Sequence, residues 1–172
     1  MDYFQILLDD EHEYGVATAI DYNELFFLPR SEAVSDWHPI KMKLTEGTFV
    51  DYLANDLGCR LCSRRLKNIL QLSAALDDEF QWLPVEVQKQ REICSYYILH
   101  FPNPPDILDK KRSLFAGDFV VKPAFSRDKI GGHQVFVYPQ AGELKLFVSE
   151  AVKLAIEKEA CTGVELSRVP VQ

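Results

Sequence analysis

The chain has 172 residues, a length that suits one domain or two closely packed lobes. Its side chains are 47% hydrophobic and 12% aromatic, enough to build a core, so disorder throughout is excluded. A formal charge of −7, from 19 basic and 26 acidic side chains, argues against general binding to nucleic acid or to an anionic membrane, and it leaves room for a basic partner.

In chain order, Tyr3-Phe4-Gln5-Ile6-Leu7-Leu8 reads as a strand. Asp9-Asp10-Glu11-His12-Glu13 follows as a solvated loop. Leu25-Phe26-Phe27-Leu28 is a second apolar run, stopped by Pro29. Residues 30–48 show no clear period apart from Lys41-Met42-Lys43-Leu44, which alternates like a short strand. Cys59 to Cys62 reads as a strand. Ser63 is placed to cap a helix that carries Leu66, Ile69, Leu70 and Leu76 on one face and runs out near Asp77-Asp78-Glu79. Residues 80–87 and Tyr96-Tyr97-Ile98-Leu99 read as strands, and Pro102-Asn103-Pro104-Pro105 is the best internal break. Residues 114–122 hold a strand or a buried turn, and Asp128-Lys129-Ile130-Gly131-Gly132 is a turn. Residues 134–138 and 144–148 are further strands. Ser149 is placed to cap a helix through Val152, Ala155 and Ile156, with Gly163 as its stop and a last strand at 164–169.

Two stretches resemble each other. Cys62-Ser63-Arg64-Arg65-Leu66-Lys67 aligns with Val148-Ser149-Glu150-Ala151-Val152-Lys153, and each unit ends in a strand, at Leu83-Pro84-Val85-Glu86-Val87 or Gly163-Val164-Glu165-Leu166-Ser167. The expected fold is α+β: a mostly antiparallel sheet with short amphipathic helices packed on it, built around two strand-helix-strand units. The expected organisation is a single domain over residues 1–172, with two packed lobes, 1–101 and 106–172, as the alternative.

The residues capable of chemistry lack the partners that chemistry needs. Cys59-Arg60-Leu61-Cys62 is a CxxC, but Cys94 and Cys161 stand alone, so a zinc site lacks its second pair. In a strand the odd offset also sends Cys59 and Cys62 to opposite faces. His12, His38, His100 and His133 fall in no metal spacing, and His133, after Gly131-Gly132, has only Asp128 nearby in sequence to orient it. No serine sits in a nucleophile elbow, no phosphate loop is present, and Lys110-Lys111-Arg112 reads as a solvated basic run. The expectation is therefore no enzyme, no metal and no cofactor. Met1-Asp2 opens no signal peptide, the apolar runs are too short to span a bilayer, and four cysteines without an export signal suit reduced thiols, so a cytoplasmic protein is expected. The candidate partner-binding residues are two acidic clusters: Asp9, Asp10, Glu11 and Glu13, and Asp77, Asp78 and Glu79. Negative charge at a helix exit opposes the helix dipole, which suggests a use for the second cluster.

The segments Asp51-Tyr52-Leu53-Ala54-Asn55, Ser63-Arg64-Arg65-Leu66-Lys67 and Leu83-Pro84-Val85, with Phe147-Val148-Ser149-Glu150-Ala151-Val152-Lys153 and Thr162-Gly163-Val164-Glu165-Leu166, resemble the eleventh immunity-protein family of bacterial polymorphic toxin systems, formerly a domain of unknown function. The resemblance spans roughly residues 45–169 and rests on structural motifs. It implies a protein that binds and neutralises a cognate secreted toxin, in the setting of interbacterial competition. Such toxins are often nucleases, hence basic where they grip nucleic acid. A non-enzymatic binding or scaffold module with a different partner is the alternative.

Overall fold

The computed structural model describes residues 1–9, 13–20, 28–29, 32–139, 141 and 144–172. In chain order the elements are β1 (Tyr3–Leu8), β2 (Ala17–Ala19), β3 (Ile40–Leu44), β4 (Tyr52–Leu53), β5 (Leu61–Ser63), α1 (Arg64–Ser73), β6 (Gln81–Lys89), β7 (Glu92–His100), β8 (Leu114–Ala116), β9 (Phe119–Lys122), α2 (Arg127–Ile130), β10 (Val135–Phe136), β11 (Phe147–Ser149), α3 (Glu150–Lys158) and β12 (Val164–Val169). They form a six-stranded sheet in the order β2-β3-β6-β7-β5-β4, a four-stranded sheet β10-β11-β1-β12, and the β8–β9 hairpin. All named pairings are antiparallel except β3 with β6. The fold is thus α+β with mostly antiparallel sheets.

The two strand-helix-strand units are real and share one topology. In the first, β5 leads through α1 to β6, and β7 lies between the two strands, antiparallel to both, with β4 outside β5. In the second, β11 leads through α3 to β12, and β1 lies between them, with β10 outside β11. Only the source of the middle strand differs: β7 follows β6 through a hairpin, whereas β1 comes from the N-terminus. The pairing registers also correspond. Ser63 faces Tyr96 as Ser149 faces Tyr3, and Val85 faces Tyr96 as Val169 faces Tyr3. This register matches Gln81 through Val85 with Glu165 through Val169, so the sequence alignment of the closing strands is out of step with the structure.

Local physics is repeated as well. Ser63 Oγ accepts from Leu66 N at 3.1 Å and Ser149 Oγ from Val152 N at 3.4 Å, each satisfying an orphan donor of its helix. Leu66 and Leu70, and Val152 and Ile156, recur at i, i+4 and are the buried face of each helix. Lys67 lies over the Tyr97 ring at 5.0 Å and Lys153 over the equivalent Phe4 ring at 5.2 Å, which gives a physical reason for the lysine shared by the two motifs.

The core follows the same division. The helices pack on each other, and a central cluster takes equivalent positions from both halves: Leu66, Leu70 and Leu99 from one, Val152, Ile156 and Ile6 from the other. The opposite face of each sheet has its own cluster, around Leu53, Leu61 and Tyr96 in the first and around Phe136, Phe147 and Tyr3 in the second. The second is covered by residues including Ile107, Leu108, Phe125 and Ile130.

Several boundaries differ from the sequence reading. β5 begins at Leu61, which leaves Cys59 before the strand. α1 stops at Ser73, and Leu76 is fully exposed instead of lying on the apolar face. Asp78 folds back there: its Oδ2 accepts from Ala75 N at 2.7 Å, a local bond that competes with the next helical turn. Residues 114–122 form two short strands, the first of the two alternatives, in a hairpin whose side chains are mostly exposed. Residues 127–130 form a helical turn ahead of Gly131. Pro84 sits within β6 where the parallel ladder with β3 has not begun, since that ladder starts at Ile40 and Val85, so its missing N–H breaks no bond on that side. Residues 25–27 of the second apolar run lie outside the described residues.

Gly163 is not the helix stop, because α3 already ends at Lys158. It has φ +74°, and an added Cβ would lie 2.5 Å from Tyr52 O and 2.9 Å from Val50 Cγ2. Gly163→Ala should therefore cost about 2 kcal/mol or more in urea unfolding. Gly132→Ala, where a Cβ would meet nothing within 4 Å, should change the midpoint little. Equal midpoints for the two variants would contradict the close approach of this loop to β4.

Candidate partner-binding surface

The acidic cluster at the exit of α1 is split by the fold. Asp77 and Glu79 are exposed. The Asp78 side chain is 0% exposed. Its carboxylate accepts from Gln134 N and Val135 N, both at 3.0 Å, and from His133 Nδ1 at 2.8 Å, besides Ala75 N. It therefore joins the end of α1 to the start of β10. His133 has an orienting carboxylate after all, 55 residues away in sequence where spacing could not reveal it.

Asp51 plays the corresponding part in the other direction. It precedes β4 as Gln134 precedes β10, and its backbone carbonyl accepts from Ser63 N as that of Gln134 does from Ser149 N, at 2.8 and 2.9 Å. The buried Asp51 carboxylate accepts from Ser63 Oγ at 2.6 Å, from Thr162 N at 2.8 Å and from the Arg65 guanidinium. Asp51 N and Tyr52 N in turn donate to Thr162 O. Arg65 also donates to Glu159 O and Ala160 O, capping the C-terminus of α3. Each helix exit thus grips the start of the other half's short outer strand. Burial pushes the Asp51 carboxyl up, but the hydrogen bonds from Arg65, Ser63 and Thr162 outweigh it and hold the group below the ordinary carboxylate range.

The first acidic cluster lies elsewhere. Asp9 follows β1 and donates its N–H to Gly163 O, whereas Asp78 meets Gln134, whose Nε2 lies 4.0 Å from Met1 Sδ at the opposite end of β1. The length of β1 therefore separates the two clusters by roughly 20 Å. Glu13 is exposed and Asp9 half-buried. Asp10 and Glu11 lie outside the described residues, as does His12.

What sequence reasoning missed is apolar. Leu72 and Leu76 are exposed close in sequence to Asp77 and Glu79, so the end of α1 carries two exposed leucines and two exposed carboxylates. The helical spacing that assigned Leu76 to the core contained no sign that the helix stops at Ser73. The CxxC thiols are both buried but in different clusters, Cys59 behind the six-stranded sheet and Cys62 between the halves. Burial pushes the Cys62 thiol up, and that of Cys161 up to about 11, away from reactive thiolate. Arg60 is buried and donates to Lys145 O and Leu99 O, and His100 Nε2 donates to Glu32 O at 2.8 Å, so both serve the packing of the chain.

Asp78→Ala would leave the Gln134 and Val135 N–H groups without their acceptor and should cost about 3 kcal/mol in urea unfolding, while Asp77→Ala should stay within about 0.5 kcal/mol. Similar losses for both would contradict the division between them. Because the folded-state pKa of Asp51 is lowered, its stabilisation is full above the ordinary carboxylate pKa and is lost as pH falls through the folded value. Unfolding midpoints should therefore drop below about pH 4, and Asp51→Asn, less stable at pH 7, should show a shallower drop. A variant with an unchanged acid limb would show that Asp51 is not the group responsible.

Among the described residues no helix is long and apolar enough to cross a membrane. No curated protein matches the chain. Residues 35–171, most of its length, match an immunity protein family, Imm11, over a span that includes both capped helices, Asp51 and Asp78. The chain belongs to the Imm11 immunity protein family.

Proposed function

We propose that this chain is an immunity protein that silences a cognate bacterial toxin by holding it in a stoichiometric complex in the cytoplasm. The observation that carries the reading is membership of the Imm11 family over residues 35–171. The end of α1 supports it: Leu72 and Leu76 offer an apolar centre, and Asp77 and Glu79 offer a charged rim, the arrangement that interfaces favour. Acidic charge there, on a chain of net −7, fits a basic toxin such as a nuclease. Asp78 supports this surface from beneath by fixing the loop. Glu13, with Asp9, Asp10 and Glu11, is a second, separate acidic contact in this reading.

The test expresses the product of the gene adjacent to this one as the candidate toxin. Co-expression of the chain should restore growth to cells making that toxin, and the two purified proteins should elute as a single 1:1 complex by light scattering. Loss of protection with no complex would contradict the proposal. Asp77→Lys combined with Glu79→Lys should slow association roughly tenfold at low salt and flatten its salt dependence. An unchanged rate would remove this rim from the interface.

A further inference from the structure

The two larger sheets use up most of their edges within the chain. The six-stranded sheet curls until its outer strands meet. Ala17 of β2 bridges to Asn55 just after β4, with Ala17 N donating to Ala54 O at 2.8 Å and Asp56 N to Ala17 O at 3.0 Å. At one edge of the four-stranded sheet the Asp78 carboxylate takes Val135 N at the start of β10. The other edge is β12. Over residues 164–168, among the described residues, no strand other than β1 pairs with it and no backbone group outside that ladder bonds it.

The internal repeat contains a covered version of the same edge. β6 is the strand equivalent to β12, with Gln81 in the place of Glu165 and Val87 in the place of Val171. Residues 34–43 run along the length of β6. Gln81 Oε1 accepts from Val34 N at 2.8 Å and its Nε2 donates to Val34 O at 3.2 Å. Trp37 Nε1 donates to Pro84 O at 2.9 Å, and β3 then pairs from Ile40 onward, with Met42 beside Val87. In the second half Phe125 stands where Met42 does. It bridges Val171 in parallel, donates its N–H to Pro170 O and accepts from Gln172 N, both at 3.0 Å. The chain before Phe125 does not run back along β12: Ala124 N donates to Ser113 Oγ, at the base of the β8–β9 hairpin. Residues 34–39 thus have no counterpart along residues 164–168 among the described residues.

We infer that residues 164–168 of β12 receive an extended, basic segment of the toxin as a fifth strand of this sheet. The inference rests on the immunity reading above. An open edge presents a row of N–H and C=O groups, and the structure that matches such a row is another extended backbone. Charge selects the segment. Glu165 is exposed and enters no ion pair among the described residues. Unlike Gln81, its carboxylate only accepts, so a backbone N–H fills one oxygen and a Lys or Arg of the incoming strand the other. Arg168 points to the opposite face and is held by Asp2 at 2.8 Å. That parity disfavours a second copy of this chain as the occupant. In a twofold-related pair of antiparallel strands, opposite residues share a face, so Glu165 would meet residues such as Ser167 and never Arg168.

The experiment uses the full chain and the inactivated product of the adjacent gene, with two readouts. The first is residue-resolved amide exchange of the native chain, alone and in the complex. Within residues 164–168 the alternate amides aimed away from β1 should exchange fast in the free chain and slowly in the complex, the pattern that an added strand produces. The second is titration calorimetry of the native chain and of Glu165→Lys, whose fold is verified by circular dichroism and urea unfolding. The variant should bind at least about tenfold more weakly, with the loss shrinking at high salt. If the native chain binds but those amides stay fast, or Glu165→Lys binds equally well, the added strand is overturned and the immunity reading stands. If the native chain does not bind, the immunity reading falls and the added strand falls with it. Sedimentation of the chain alone is the control for self-association: a dimer in which the same amides are protected would overturn the toxin as occupant in favour of a second copy.

Discussion

Two buried carboxylates hold this molecule together. Asp51 and Asp78 each lie beside the short outer strand of one half and beside the segment leaving the helix of the other. The central cluster between the halves is apolar and non-directional, so it favours contact without choosing one arrangement. Direction comes from the carboxylates. Each is met by backbone N–H groups and fixed side chains, and these bonds are satisfied in one relative placement of the halves. A carboxylate out of water needs such donors to offset its desolvation, so the same groups that specify the arrangement also make the burial tolerable.

The crossing of these contacts follows from the repeated topology. Two split strand-helix-strand units face each other helix to helix, and each helix exit reaches the start of the other unit's outer strand. One exit uses a side chain, Asp78, to accept two N–H groups, and the other uses a backbone carbonyl, Thr162 O, for the equivalent pair. The identities differ while the positions match, because the requirement is an acceptor at a place and not a given residue. With the helices turned inward, the end of α1 remains exposed, and so does most of the hairpin between the proline-rich crossover and β10.

Much of this was legible in the sequence, for identifiable reasons. The capping serines, the i, i+4 apolar pairs and the β-branched runs are local signals, and they located β1, the starts of α1 and α3 and the second half of β7. The two-unit match was legible because Ser and Lys are fixed by the cap and by the aromatic ring beneath the lysine. The functions of Asp51 and Asp78 were not legible, since each depends on donors more than fifty residues away. Asp78 looks like part of an acidic run beside Asp77 and Glu79, and nothing local marks it as the buried member. Leu76 was misplaced for the same reason: the bond that stops its helix comes from the side chain of Asp78. At 114–122 the apolar residues indicate a strand but not its exposure, because apolar sequence does not by itself distinguish a core position from a surface one.

Hydrogen exchange on the free chain and on its proposed complex with a toxin tests the whole account at once. The account predicts that the amides of Tyr52, Gln134, Val135 and Thr162 are among the slowest in the free chain, opening only with global unfolding, and that the proposed toxin partner adds protection at residues 76–79 while leaving those four unchanged. Fast exchange at the four amides in the free chain, or new protection confined to the face of the six-stranded sheet away from the helices, would contradict it.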